Sequence, residues 1–420
     1  MGQDIHYEVF RRVGARGGWT LHEAVSSRDV AIKMAQEMMA QEKATGVKVV
    51  KESYNDETGD YLTLKIFEEG HNQVKVDPKA EDTPHALPCF RIDDLYSYHA
   101  RQTIARLLVD FLARNRLTVT ELLHRADMLE KFEATGTLYQ HAVQKIAVAQ
   151  ASSTTTPVQQ IVKSLNELTT QAMNRVYRDQ RKGLFPDPNP EQFNTLAHKL
   201  AEDPNGFYVF NGAIARHLKD SSGWDDKVLR LLALMKFAPE EGPARTLLLT
   251  AVDAIIAEIL GGSAALHELI GAKDNLAAAL SSLVELFLGK TTNEEAYTGL
   301  TLLTQHFADD DLPEARTAIA NRLIAEFKSA KRLCPNSLVE ELTALRKIAN
   351  RVVFGVGKYM AHEELIAAFT LRSKRLVSNE ILSEHLSDAA TPDEKIERLL
   401  FVEDNIIGVE NKRQLANFNL

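Results

Sequence analysis

The chain has 420 residues, 45% of them hydrophobic and 25% charged, with a formal net charge of −9. That length exceeds one ordinary core, so two or three domains or an extended helical assembly are expected. The composition excludes long disorder, and the negative charge disfavours a protein devoted as a whole to nucleic acid or anionic membrane. Cys89 and Cys334 stand far apart without metal-ligand or CxxC spacing, which reads as free thiols in a reducing compartment.

The N-terminus lacks the charged and apolar regions of a signal peptide, and His6 replaces the hydroxyl residue of a myristoylation pattern. The most apolar segment, Thr246–Leu260, contains Asp253 and Glu258 and is too short to span a bilayer. These features lead to the expectation of a soluble, cytoplasmic protein.

Ile5–Phe10 and Trp19–Val25 alternate with the period of a strand and flank Arg12–Gly18, the pattern of a hairpin. Ser26 or Ser27 caps a helix reaching to about Thr45, with Val30, Met34 and Met38 as its apolar stripe. Val47–Tyr54 and Tyr61–Phe67 form a second hairpin across Asn55–Gly59. The expected order is ββαββ, a small α+β domain over residues 1–70 whose sheet edge is open to a partner strand. Pro78, Pro84 and Pro88 mark residues 71–92 as a linker.

From Asp93 the pattern is helical, so the fold is mainly α: a long helical stack or irregular bundle behind the small sheet. Thr118-Val-Thr-Glu121 is a capping box, and Ser337-Leu-Val-Glu340 is another, opening a stripe of Leu338, Leu342, Leu345, Ala349 and Val352. Leu184–Pro190, rich in proline, divides a first helical subdomain (93–183) from a second (190–420). Short helices follow at roughly 15–20 residue spacing, supported by Pro313 and by Thr391-Pro-Asp-Glu394. No repeating consensus names a solenoid family.

Chemical motifs are sparse. Gly355-Val-Gly-Lys358 lacks the spacing and the hydroxyl residue of a phosphate loop and reads as a helix end. His362-Glu-Glu364 lacks the second histidine of a zinc-protease helix, and His362 falls with Leu365, Ile366 and Phe369 at a packing seam. Asp309-Asp-Asp311 suits the N-terminal dipole of the helix opening at Pro313. No catalytic residue, metal site or cofactor is expected.

Two basic features stand out. Arg11, Arg12, Arg16 and Trp19 share the first hairpin, and arginine beside an aromatic ring suits phosphate and a stacked base. Residues 328–375 carry ten basic and four acidic side chains, among them Lys347, Arg351, Lys358, Arg372, Lys374 and Arg375. Such polarity suits an acidic protein partner or contact between copies, unless acidic neighbours already neutralise it. Cys334, near Lys331 and Arg332, has the neighbours of a reactive thiol.

The function expected is that of a non-enzymatic interaction protein: an adaptor, regulator or assembly component with protein partners and a capacity for self-association. The first rival is an RNA- or nucleotide-binding regulator. The second is an enzyme of unrecognised type, with His362, His217 and the acidic pairs as first suspects.

Overall fold

The structure, a computed structural model, describes residues 5–13, 19–41, 43–55, 60–70, 86–152, 154–290, 298–353 and 359–418. The chain forms two compact units, Met1–His85 and Ala86–Leu420.

The first unit contains β1 (Ile5–Arg12), β2 (Thr20–Val25), α1 (Arg28–Ala40), β3 (Gly46–Asn55) and β4 (Asp60–Gly70). The strands pair antiparallel in the order β2-β1-β3-β4. Alternation along β1 and β3 sends Val9, Val47 and Val49 to one face, where Ala31, Ala35 and Met38 of α1 close the core. The stripe of α1 is therefore rotated from the expected one. Val30 is exposed, and two alanines let the helix sit close to the sheet. The helix also ends sooner, at Ala40.

The second unit is helical, and its organising element is the helix Gly242–Gly261. It is apolar nearly all round, the pattern of a helix enclosed by others. Helices Phe193–Leu200, Gly206–His217, Trp224–Met235 and Pro313–Lys328 pack around it. Helix His362–Leu376 covers Pro313–Lys328, while Leu338–Val353 lies against Leu276–Phe287 and Pro392–Asn405. Phe193–Leu200 and Pro313–Lys328 are not sequence neighbours of Gly242–Gly261, which makes the unit an irregular bundle; in a solenoid each element meets only its neighbours. Phe193, Phe210, Phe287, Phe307, Phe327 and Phe369 are fully buried along it.

Local signals set many boundaries. Thr118 and Glu121 form the expected capping box, and the Ser337 and Thr391 hydroxyls accept the N–H groups of Glu340 and Glu394. Pro313 opens its helix, and Gly408 breaks the last segment into Pro392–Asn405 and Val409–Ala416. The short helix Ser263–Ile270, bent by 88° from Gly242–Gly261, has no counterpart in the expected elements. No single helix among the described residues is long and apolar enough to cross a membrane.

Two boundaries differ from the expected organisation. The proline run Leu184–Pro190 punctuates the chain without separating cores: Phe111, Phe132 and Val176 before it join Phe193 and Phe210 after it in one cluster, with Phe185 of the run itself buried there. Residues 86–92, expected to be linker, belong to the helical unit. Ala86 is buried, and Gln150 Nε2 donates to its carbonyl at 3.1 Å.

Candidate functional site

The basic region from Lys328 to Arg375 is the first candidate, and the structure divides its members. Arg372, expected to meet a partner, is instead 3% exposed. Its guanidinium donates to the carbonyls of Phe327 (3.1 Å), Lys331 (2.6 Å), Glu326 (2.6 Å) and Ser329 (3.1 Å). These carbonyls lie at the C-terminal end of the helix Pro313–Lys328 and in its following turn, so the side chain is a C-terminal cap built from another helix, adding to the Ser329 N–H and hydroxyl that already reach the Glu326 carbonyl. Arg375 reinforces it by donating to the Lys328 and Ser329 carbonyls.

Beside Arg372 lies Glu341, fully buried, which accepts from Arg332 Nε at 2.7 Å and from the backbone N–H groups of Leu333 and Cys334. Arg351 is paired with Glu285, Lys328 with Glu364, and Arg346 donates to the Asp404 carbonyl. Lys347 and Lys374 remain exposed on their helices. Lys358 lies outside the described residues. Much of the positive charge is thus matched within the chain. Cys334, expected as a reactive thiol, is instead a packed one: burial, then the neighbouring Glu341, push its pKa up.

On the N-terminal hairpin, the alternation of β1 separates Arg11 from Arg12, with Arg12 on the face opposite α1. Arg12 lies over the Trp19 ring at 5.1 Å, and Lys48 sits between Trp19 (5.2 Å) and Phe10 (4.8 Å). The result is a row of alternating rings and cations on the sheet face. Arg16 lies outside the described residues.

His362 is exposed in the first turn of its helix, away from the expected packing seam, although Leu365 and Phe369 behind it are buried. His217 is half-buried against the Phe193 ring, and burial lowers its pKa. No motif singles out His124, yet it is the most enclosed histidine described, 2% exposed among Tyr96, Phe185 and Tyr208. Its Nδ1 lies 2.7 Å from the Thr120 carbonyl, which can only accept, so Nδ1 carries the proton. Burial lowers its pKa to about 4, leaving a neutral ring at pH 7.

Apart from Asp179, which pairs with Arg175 and Arg178, the remaining buried charges described fall in two clusters that tie helices together. Lys227 contacts Glu121 and the Arg116 carbonyl. Arg101 bridges Glu258 (2.7 Å) and Glu314 (3.0 Å), and Glu258 also accepts from the Thr120 N–H and hydroxyl. Asp253, one turn earlier, accepts the first N–H groups of the helix opening at Pro313, from Glu314 and Ala315 at 2.8 Å each. It therefore does what Asp309-Asp-Asp311 was expected to do. Asp310 and Asp311 instead pair with Arg316 and His306. Burial raises the Asp253 pKa to about 6 despite those two bonds.

Two concavities flank the helix Val158–Arg181. One is open and polar, lined by Arg91, Asp93, Asn174, Arg175, Arg178 and Asn205 among others. Its arginines are engaged: Arg175 with Asp93 and Asn205, Arg178 with Asp179. The other is a small apolar cavity deeper in the helices. Among the described residues, no group of three His, Cys, Asp or Glu side chains is placed to hold a metal ion.

Compared with known proteins, the chain matches no family model, no curated protein and no solved structure.

Proposed function

We propose that this protein is a non-enzymatic interaction module, an adaptor, regulator or assembly component that meets a protein partner through the outer faces of its helical unit. The observation that supports this reading is the placement of charge. Buried ionisable side chains such as Arg372, Glu341, Asp253, Glu121 and Lys227 close helix ends or one another, an arrangement that fixes a rigid body. Among the described residues, the exposed Lys331, Lys347 and Lys374 are what remains of the basic region for an acidic partner.

Photo-crosslinkers placed at Lys347 and Lys374, with Lys163 on a remote helix as the control, test the reading in native extract. The expected outcome is a discrete protein adduct from the first two positions, confirmed with purified components and weakening as salt rises. Equal labelling from all three positions would overturn it. Light scattering across ionic strength tests the self-association form in the same way.

A second reading, a single-stranded RNA binder, draws support from the Phe10–Lys48–Trp19–Arg12 row. Its weakness is that the protein's own cations already lie over those rings. Binding of a labelled oligonucleotide at low salt, lost in Trp19→Ala, is what that reading requires.

A further inference from the structure

We infer that the helical unit binds a neutral hydrocarbon group, an aromatic ring or the end of an alkyl chain, in an apolar cavity beneath the Ala86–Cys89 strap. This cavity lies in a different part of the fold from Lys347 and Lys374.

The cavity measures about 140 Å³ and lies among the helices Tyr98–Leu107, Ala126–Glu133, Thr137–Ala151 and Val158–Arg181. Its wall is almost wholly carbon, with Ile104, Leu107, Phe132, Ile146, Leu165 and Met173 as the principal surfaces. Three of the few polar side chains at the wall are hydrogen-bonded within the chain. Tyr139 Oη donates to Asn166 Oδ1 at 2.8 Å, Thr169 Oγ1 donates to the Leu165 carbonyl at 2.7 Å, and Gln150 Nε2 holds the Ala86 carbonyl. Water needs two to four polar partners to occupy such a space, whereas apolar cavities of about this size stay dry and accept benzene-sized guests. The unfilled lining forgoes dispersion contacts that a hydrocarbon restores.

The chemistry of the wall selects the ligand. No charged side chain among the described residues lines the cavity, so a charged group has no counterpart among them. Cys89 supplies a thiol that burial keeps protonated, again an apolar surface. The strap has no helical structure. It is pinned at Ala86 by Gln150 and at Phe90 and Arg91 by the Asp94 carboxylate. Leu87, which also lines the cavity, is 55% exposed, and this places the mouth at the strap.

The experiment uses the full chain. Benzene and n-butylbenzene, with octanoate and palmitate as separate arms, are titrated while thermal unfolding and calorimetric heat are followed. Saturable stabilisation by the neutral compounds alone supports a free apolar ligand, and stabilisation by the fatty acids as well supports an acyl tail; both uphold the site. Ala172→Leu, which fills the cavity from the Val158–Arg181 helix, is expected to weaken binding by at least about tenfold. Its unfolding temperature without ligand should be unchanged or higher. As a readout free of any substitution, a saturating ligand should slow maleimide modification of Cys89, followed peptide by peptide. Should Ala172→Leu fail to fold, Cys89 protection decides. Absence of saturable binding to the native protein overturns the inference, as does binding that leaves Cys89 reactivity unaltered.

Discussion

Lys227 Nζ lies 2.6 and 2.5 Å from the two oxygens of Glu121, across a sequence separation of 106 residues. Neither side chain is more than 4% exposed. Glu121 is also the N3 residue of the capping box opened by Thr118, so one carboxylate completes a helix start and anchors a distant helix. The lysine pays for its own burial, seen as a lowered pKa, and is held charged by Glu121. Removing Lys227 leaves the buried Glu121 with only Arg125, 3.6 Å away, opposite its charge, and removing Glu121 leaves the lysine with the Arg116 carbonyl and no carboxylate. Lys227→Met should therefore cost about 3–5 kcal/mol, while Glu121→Gln with Lys227→Met recovers much of the loss. Urea denaturation of the two single variants and the double variant measures the coupling. Additive losses would show that the pair is not an energetic unit.

Acid should destabilise the helical unit through His124. Its folded pKa, about 4, lies below the ordinary 6.5, because burial disfavours the imidazolium. The folded state therefore binds fewer protons than the unfolded state in this window. Stability is full above pH 6.5 and falls as pH drops toward 4, by about 3 kcal/mol. Denaturation midpoints between pH 7 and 4 should decline more steeply in the native protein than in His124→Gln. Parallel curves would place the acid sensitivity elsewhere.

Asp253 predicts the opposite slope. Burial raises its folded pKa from 3.8 to about 6, so its contribution is present below pH 3.8 and is lost as pH rises through 6. Relative to Asp253→Asn, the native protein should lose about 3 kcal/mol over that interval, since the amide carries no charge to bury. The substitution also removes one of two accepting oxygens at the Glu314 and Ala315 N–H groups. That deficit is independent of pH, which separates it from the titration. A pH-independent difference between the two proteins would assign Asp253 a capping role alone.

The basic region contains two kinds of residue that respond differently to substitution. Arg372→Lys keeps the charge but loses the planar fork that reaches four carbonyls, so it should cost about 2–4 kcal/mol. Lys374→Glu and Lys347→Glu alter exposed positions and should change stability by no more than about 0.5 kcal/mol. Thermal unfolding of the three variants checks the contrast. An equal response from Arg372→Lys and Lys374→Glu would contradict the cap.

The periodicity of the chain carried more of this information than its local charge did. Helix starts such as Thr118, Ser337 and Thr391 were legible because each cap is made by residues within four positions, and Pro313 marked its start by its own ring although the cap there comes from distant Asp253. The roles of Arg372, Glu341 and Lys227 depend on partners brought close only by folding. Yet each occupies a stripe position. Arg372 lies three after Phe369 and four before Leu376, Glu341 lies between Leu338 and Leu345, and Lys227 lies between Trp224 and Leu231. A charge on the apolar face of a helix is the signature of an internal tie, and it distinguishes Arg372 from the exposed Lys374 two residues on. No comparable signal marks the cavity. Its lining comes from several segments whose apolar residues look like ordinary core, and only their imperfect convergence leaves space.

Gly212 offers the sharpest steric test of the joint between the proline run and the bundle. A Cβ added there would stand 2.1 Å from Phe185 Cδ1, inside the helix Gly206–His217. Phe185 cannot retreat easily, because it is 2% exposed and its ring packs edge-on against His124 and Tyr208. The helical propensity gained by alanine, about 1 kcal/mol, is smaller than the strain of overpacking, which reaches about 3 kcal/mol. Gly212→Ala should therefore destabilise the native protein, whereas in a Phe185→Leu background the same change should be neutral or stabilising. Calorimetric unfolding of the four proteins reads the sign directly. A stabilising Gly212→Ala in the native background would mean that the Leu184–Pro190 segment yields without loss and does not hold the two halves of the core together.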